Sequence, residues 1–198
     1  MDKLQLLHKK FSEFIDYFIV KYSYEHRGML KKLRIDSRLN MDIDEEEWCK
    51  LFLYKSCLNH CARILLMRFI EDKGFIHHKL NEKGIEKWRN FVKNLGQDFD
   101  VLYHIGLLDL QVDENAMIRG IFKKSDYDLF TIDKELAEIV IDSFSSIYVG
   151  DLQKKDFIEL FKKLYTLEDR EIMKLEKFHK DAPALSYILQ LEERESLL

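Results

Sequence analysis

Apolar residues recur at helical spacing along most of the chain. Leu4, Leu7, Phe11, Phe14, Ile15 and Phe18 mark an amphipathic helix over 2–22. A second helix is expected from Tyr24 to Leu39, bent near Gly28, with Leu30 and Leu33 on its apolar face; Asn40-Met41-Asp42 reads as a connection. The pattern then changes. Asp44 is placed as an N-cap with Glu47 three residues on, an Asp form of the capping box, and Glu45 to Glu47 suit the positive end of a helix dipole. Trp48, Leu51, Tyr54, Leu58, Cys61, Ala62, Leu65 and Phe69 follow one face, while Ile64, Leu66, Met67 and Ile70 make the opposite side apolar as well. A helix apolar nearly all round is a buried one, so 44–72 is read as the centre of the fold. Gly74 suits its end, since a residue without Cβ enters the left-handed region freely.

Further helices are expected near 82–95, with Trp88, Phe91 and Val92, and over 113–124. Residues 98–108 are apolar without a clear face and read as helix or irregular packed chain. Asp126-Tyr127-Asp128 reads as a turn, and Asp133 caps a helix over 134–147. Asp151 or Gln153 opens another that ends near Tyr165. Thr166 with Asp169 opens the last long helix, interrupted at Pro183, and 184–198 forms a short one. With one proline and seven glycines in 198 residues, turn chemistry is too sparse for a sandwich or barrel. The expectation is an all-α bundle of seven to nine helices around a central buried helix, in one domain: basic N-terminal helices over 1–40, a core over 41–165, and C-terminal helices over 166–198. At this length folding buries roughly 70% of the unfolded chain's surface, enough for a core without disulfides or metals.

Charge matters through its distribution. The net charge is −4, yet residues 1–40 hold nine Lys/Arg against five Asp/Glu, and the remainder is acidic. Arg27, Lys31, Arg34 and Arg38 follow 3–4 spacing, with Lys32 beside them, so they are expected to form a basic stripe able to neutralise DNA phosphates irrespective of sequence. The competing reading is a helix face salt-bridged to the acidic segment 42–47.

Candidate chemistry is thin. Cys57, His60 and Cys61 cluster on the central helix, but a structural zinc needs four ligands, and Cys49 lies two turns away; buried cysteines are the better reading. Glu71-Asp72-Lys73 contains the E-x-K of magnesium-dependent nucleases, which place it on a strand; here it ends a helix, where Asp72 and Lys73 could tie that end to its neighbours. His77-His78 reads as a solvated pair. Phosphate-cradling and nucleophile-elbow motifs are absent. No catalytic residue, metal or cofactor is assigned. Clustered cysteines fit a reducing cytoplasm, the first residues show no signal-peptide pattern, and no apolar run reaches about 18 residues, so no membrane span is expected.

The stretch LNHCARILLMRFIEDKGFI, residues 58–76, resembles the "L-N-R-hydrophobic-F-x-R-F-hydrophobic-E-D-[KR]-G" helix of type IIG restriction–modification enzymes and BREX-type adenine-specific DNA methyltransferases. There it lies in a helical region upstream of the catalytic domain. Asp128-Leu129-Phe130-Thr131-Ile132-Asp133, followed by Leu136, Ile147 and Leu152, is similar to the family's "L-F-x-hydrophobic-D" helix and its following segment. The resemblance spans roughly 50–165. It departs at Phe157-Ile158-Glu159-Leu160, where the family has a glycine-bearing L-G-x-x-Y-E pattern. The methyltransferase motifs are missing, N-P-P-[YF] among them, since Pro183 is the only proline. The resemblance therefore implies a non-catalytic helical module of a restriction–modification or phage-defence system, with DNA and an adenine-specific methyltransferase as expected partners. The alternative is a stand-alone interaction or regulatory protein without a nucleic-acid role; an unrecognised nuclease is a third class.

Overall fold

The structure, a computed structural model, describes residues 2–23, 30–38, 43–93, 98–142 and 144–193, the side chains of 36–38 excepted. Among these residues the chain is all helical. Ten α-helices follow one another: α1 (Lys3–Tyr22), α2 (Lys31–Arg38), α3 (Glu45–Asp72), α4 (Glu82–Val92), α5 (Phe99–Gln111), α6 (Ala116–Phe122), α7 (Lys134–Ala137), α8 (Lys154–Leu164), α9 (Asp169–Lys177) and α10 (Pro183–Leu189). A 3₁₀ turn occupies Asp126–Leu129, and α7 widens into a π-helical turn over Glu138–Asp142. The count exceeds expectation partly because the segment after Asp98 is helical. Its apolar residues lie on both faces, which hid the periodicity. The 24–28 bend and the 40–42 connection lie outside the described residues.

Helix α3 begins and ends as its sequence predicts. The Asp44 carboxylate accepts the Glu47 N–H at 2.8 Å. The Glu47 side chain, however, pairs with Lys174 of α9 rather than returning to the cap. At the other end Gly74 takes φ +78, its N–H reaches the Glu71 carbonyl, and the Phe75 N–H reaches that of Ile70. These two bonds form a Schellman ending that satisfies otherwise orphaned carbonyls. Gly84 is also obligatory: a Cβ there would sit 2.3 Å from the Lys79 backbone.

Every residue from Lys55 to Glu71 is buried. Helices α1, α2, α9 and α10 and the Asp126–Leu129 turn pack around α3; α8 packs on α1 and α10 and sets Phe157 edge-on to Phe69 of α3, and α5 packs on α6 and α7. Aromatic rings fill the space between, with Trp48 stacked on Phe52 and Phe52 on Tyr127.

Enclosure leaves the polar side chains over 55–71 without water, and Lys55, Ser56, Asn59, His60, Arg63, Arg68 and Glu71 each find at least one partner in the chain. Ser56, His60 and Arg63, at 3–4 spacing, face the 123–130 segment. Ser56 Oγ donates to the Tyr127 carbonyl at 2.7 Å, and Arg63 bonds Asp128 and the Lys123 carbonyl. Lys55 and Asn59 face the C-terminal helices. Lys55 Nζ donates to the Phe178 carbonyl at 2.8 Å, at the negative end of α9. Asn59 Oδ1 accepts the N–H groups of Ala184 and Leu185 at 3.1 and 3.2 Å. The N-cap of α10 is Ala182, which has no acceptor side chain, so Asn59 caps that helix from outside. Arg68 donates to the carbonyls of Phe144 and Ile147 at 2.7 and 2.9 Å.

Three sequence boundaries shift, the first being the helix expected over 134–147, which ends at Asp142. The α9 cap is Glu168 rather than Thr166, and the expected long C-terminal helix stops at Lys177, with His179 at φ +53; Pro183 then starts α10 at a position that needs no N–H. Arg68→Met should destabilise the fold by about 3–4 kcal/mol in urea unfolding, because two carbonyls and the Asp72 carboxylate lose a donor inside the protein. Exposed Lys83→Ala should change stability by no more than about 0.5 kcal/mol. A loss below about 1 kcal/mol for Arg68→Met would show that these bonds do not hold the 144–149 segment.

Candidate functional site

The central-helix residues that resembled ligands are structural. Cys57 and Cys61 are wholly buried, and burial pushes the Cys57 thiol well above its ordinary value, away from the thiolate that binds metal or attacks. His60 Nε2 lies 2.8 Å from the Phe130 carbonyl and Nδ1 3.4 Å from the Tyr103 hydroxyl. A carbonyl can only accept, so Nε2 carries the proton and Nδ1 accepts from Tyr103. Among the described residues no three His, Cys, Asp or Glu side chains are grouped to hold a metal.

The E-x-K pattern likewise resolves into ties. Glu71 is fully buried and accepts the N–H groups of Leu80 at 2.9 Å and Asn81 at 3.0 Å, closing the loop before α4. Asp72 pairs with Arg68 and accepts the Val149 N–H at 2.8 Å. The expected tie at this helix end is thus made by Asp72.

The basic stripe is altered by folding. Arg34 turns inward: it is 6% exposed, pairs with Glu45 at 3.1 Å and approaches Cys49 Sγ. It is therefore removed from the candidates for DNA-backbone contact, because its guanidinium is spent on the acidic start of α3. Lys31 and Lys32 are exposed. Arg27 lies outside the described residues, as does the Arg38 side chain.

Across from α2, the 123–124 segment supplies what Arg34 does not. A groove of about 520 Å³ runs between them, lined by Lys32, Leu33, Lys124, Asp126, Asp128 and Leu129. Its two acids are already engaged. Asp128 holds Arg63, and Asp126 takes His179 and Lys180, both at 3.1 Å. Burial raises the Asp126 carboxyl, but those two hydrogen bonds outweigh it and keep its pKa below the ordinary value. Lys31, Lys32, Lys123 and Lys124 are all exposed and form no ion pair with a described residue.

No family model, curated protein or solved structure matches this chain.

The resemblance to the helical region of the methyltransferases therefore rests on the residues themselves, and the structure shows what those residues do. Asn59, Arg68, Glu71, Asp72 and Gly74 each hold a helix end or a loop. Lys123 and Lys124 were missed from the sequence. Their only signal was a basic pair before the 126–128 turn, and the place of Lys124 opposite α2 is a tertiary fact.

Burial, reinforced by Arg63, lowers the His60 pKa to about 4, against 6.5 ordinarily. Between those values the unfolded chain binds a proton that the folded chain does not, so acidification from pH 6.5 to 4 should cost about 3 kcal/mol through this group. Burial pushes Glu71 up to about 7, with the opposite sign: its contribution is present below pH 4.5 and lost as pH rises through 7. Subtracting a His60→Gln variant isolates the first effect. Urea unfolding across this range should show a smaller acid loss for the variant; parallel curves would rule out a buried neutral imidazole.

Proposed function

We propose that this chain is a non-catalytic helical module of a DNA restriction–modification or phage-defence system, acting in the cytoplasm, which supports an adenine-specific methyltransferase and touches the DNA backbone. The observation that carries the reading is a physical link between the two stretches that bear the resemblance. Residues 58–76 and 128–133 are far apart in sequence, yet Arg63 pairs with Asp128 and His60 donates to the Phe130 carbonyl. Two stretches that match separately would be a weak sign; two that interlock form one structural unit. The phosphate contact is assigned to Lys31, Lys32 and Lys124, which form no ion pair with a described residue. Among the described residues no helix is long and apolar enough to cross a membrane.

Duplex DNA binding, followed by fluorescence anisotropy over a salt series, tests this. The parent should bind at low salt and weaken as salt rises, log K falling by about 0.9 per log unit of salt for each phosphate neutralised. Lys32→Glu with Lys124→Glu should bind at least about tenfold more weakly and lower that slope by about 2. Absence of binding by the parent at low salt, or equal binding by the double variant, would overturn the DNA role.

A further inference from the structure

Helix α5 buries one face and leaves the other apolar and uncovered. Phe99, Leu102, Tyr103, Gly106 and Leu110 point inward. On the outside Val101, Ile105, Leu108 and Val112 are 43%, 40%, 61% and 77% exposed. At 100° per residue these four lie within about 60° of arc, a continuous ridge. Single exposed apolar side chains are ordinary, but a contiguous stripe marks an interaction surface. The ridge adjoins a groove of about 310 Å³ between α5 and the 74–79 loop, lined by Phe75, Ile76, Gly106 and Leu110, with Asp109 and Asp113 among its walls. Phe75 is itself 61% exposed.

Charge decides what can cover this surface. Helix α5 contains no lysine or arginine. Asp98 and Asp109 are paired, with Lys134 at 3.4 Å and Lys79 at 2.7 Å. Asp100, Asp113 and Glu114 form no ion pair with a described residue, and Arg119, whose Nη1 donates to the carbonyls of Asp113 and Glu114, offsets one of these three charges. The net charge beside the ridge is thus negative. A second copy fits poorly: it would bring the same unpaired acids, Asp100, Asp113 and Glu114, to a face that already carries them. Like charges placed so are repulsive. We propose that this surface receives an amphipathic helix of a partner protein, its apolar face flanked by lysine or arginine. Apolar side chains at 3–4 spacing on that helix would seat against the ridge and groove, and its basic flanks would meet Asp100 and Asp113. The site is independent of the phosphate-binding lysines, so either assignment can fail alone.

The test uses the full chain, isotope-labelled, and two synthetic helical peptides with the same leucine stripe, one flanked by lysines and one by glutamates. The lysine peptide should bind, shift the amide signals of α5 and the 74–79 loop, and exceed the glutamate peptide by at least about tenfold in affinity. Leu108→Asp should abolish binding without changing the circular dichroism spectrum. Asp100→Lys with Asp113→Lys should reverse the preference, while Lys32→Glu should leave it unchanged. Absence of binding by the lysine peptide, equal affinity for both peptides, or shifts located elsewhere would overturn the proposal. So would a dimer in sedimentation that Leu108→Asp dissociates, since the face would then belong to a second copy.

Discussion

The structure depends on the enclosure of α3. Once residues 55–71 are surrounded, none of their polar groups can reach water, and an unpaired buried polar group costs more than a typical hydrogen bond contributes. Most are answered from within the chain, and the answers are mostly backbone groups at the ends of other elements, while Asn59 Nδ2 and the Nε atoms of Arg63 and Arg68 have no partner among the described residues. Asn59 caps α10, Lys55 closes α9, Glu71 holds the turn before α4, and Arg68 holds the carbonyls beyond the π-helical turn. The central helix is thus both the hydrophobic core and the part that fixes where the surrounding helices begin and stop.

Sequence reading reached the first role and not the second. Burial of 44–72 followed from apolar residues on both sides, and its ends from Asp44 and Gly74, because those signals are local. The duties of Asn59, Arg63 and Arg68 were not legible, because their partners lie between about 60 and 130 residues away. Arg34 shows the same limit. Its spacing placed it on a basic face, and its local acid, Glu45, was named only as a competitor; the approach of α2 to the start of α3 decided the outcome. Helix α5 was obscured for a different reason, since a helix apolar on a buried face and on an exposed face has no periodicity to find.

Polar motifs are easily mistaken for chemistry. Glu71-Asp72-Lys73 carries the residue types of a metal-dependent nuclease, and Cys57, His60 and Cys61 those of a metal site. In both cases geometry assigns them elsewhere: Glu71 accepts backbone N–H groups, and His60 donates to a carbonyl. The same lesson bears on the family-like stretch. A run such as Asn59…Arg68…Glu71-Asp72…Gly74 can mark a way of building a helical region rather than an activity, which is consistent with a chain that lacks the methyltransferase motifs.

The buried arginines connect this interior to the surface. Arg34 binds Glu45 at the start of α3 and so fixes α2, the helix that carries Lys31 and Lys32. Arg63 binds the Lys123 carbonyl and Asp128 and so fixes the segment that carries Lys124. Both walls of the groove between Lys32 and Lys124 are therefore anchored to the same helix by buried guanidinium groups. Under the phosphate contact proposed above, the long lysine side chains would lose entropy on being ordered. A groove whose backbone is already held in place confines that cost to the side chains. The inward turn of Arg34 removes one charge from the face and holds the remaining lysines in position across from Lys124.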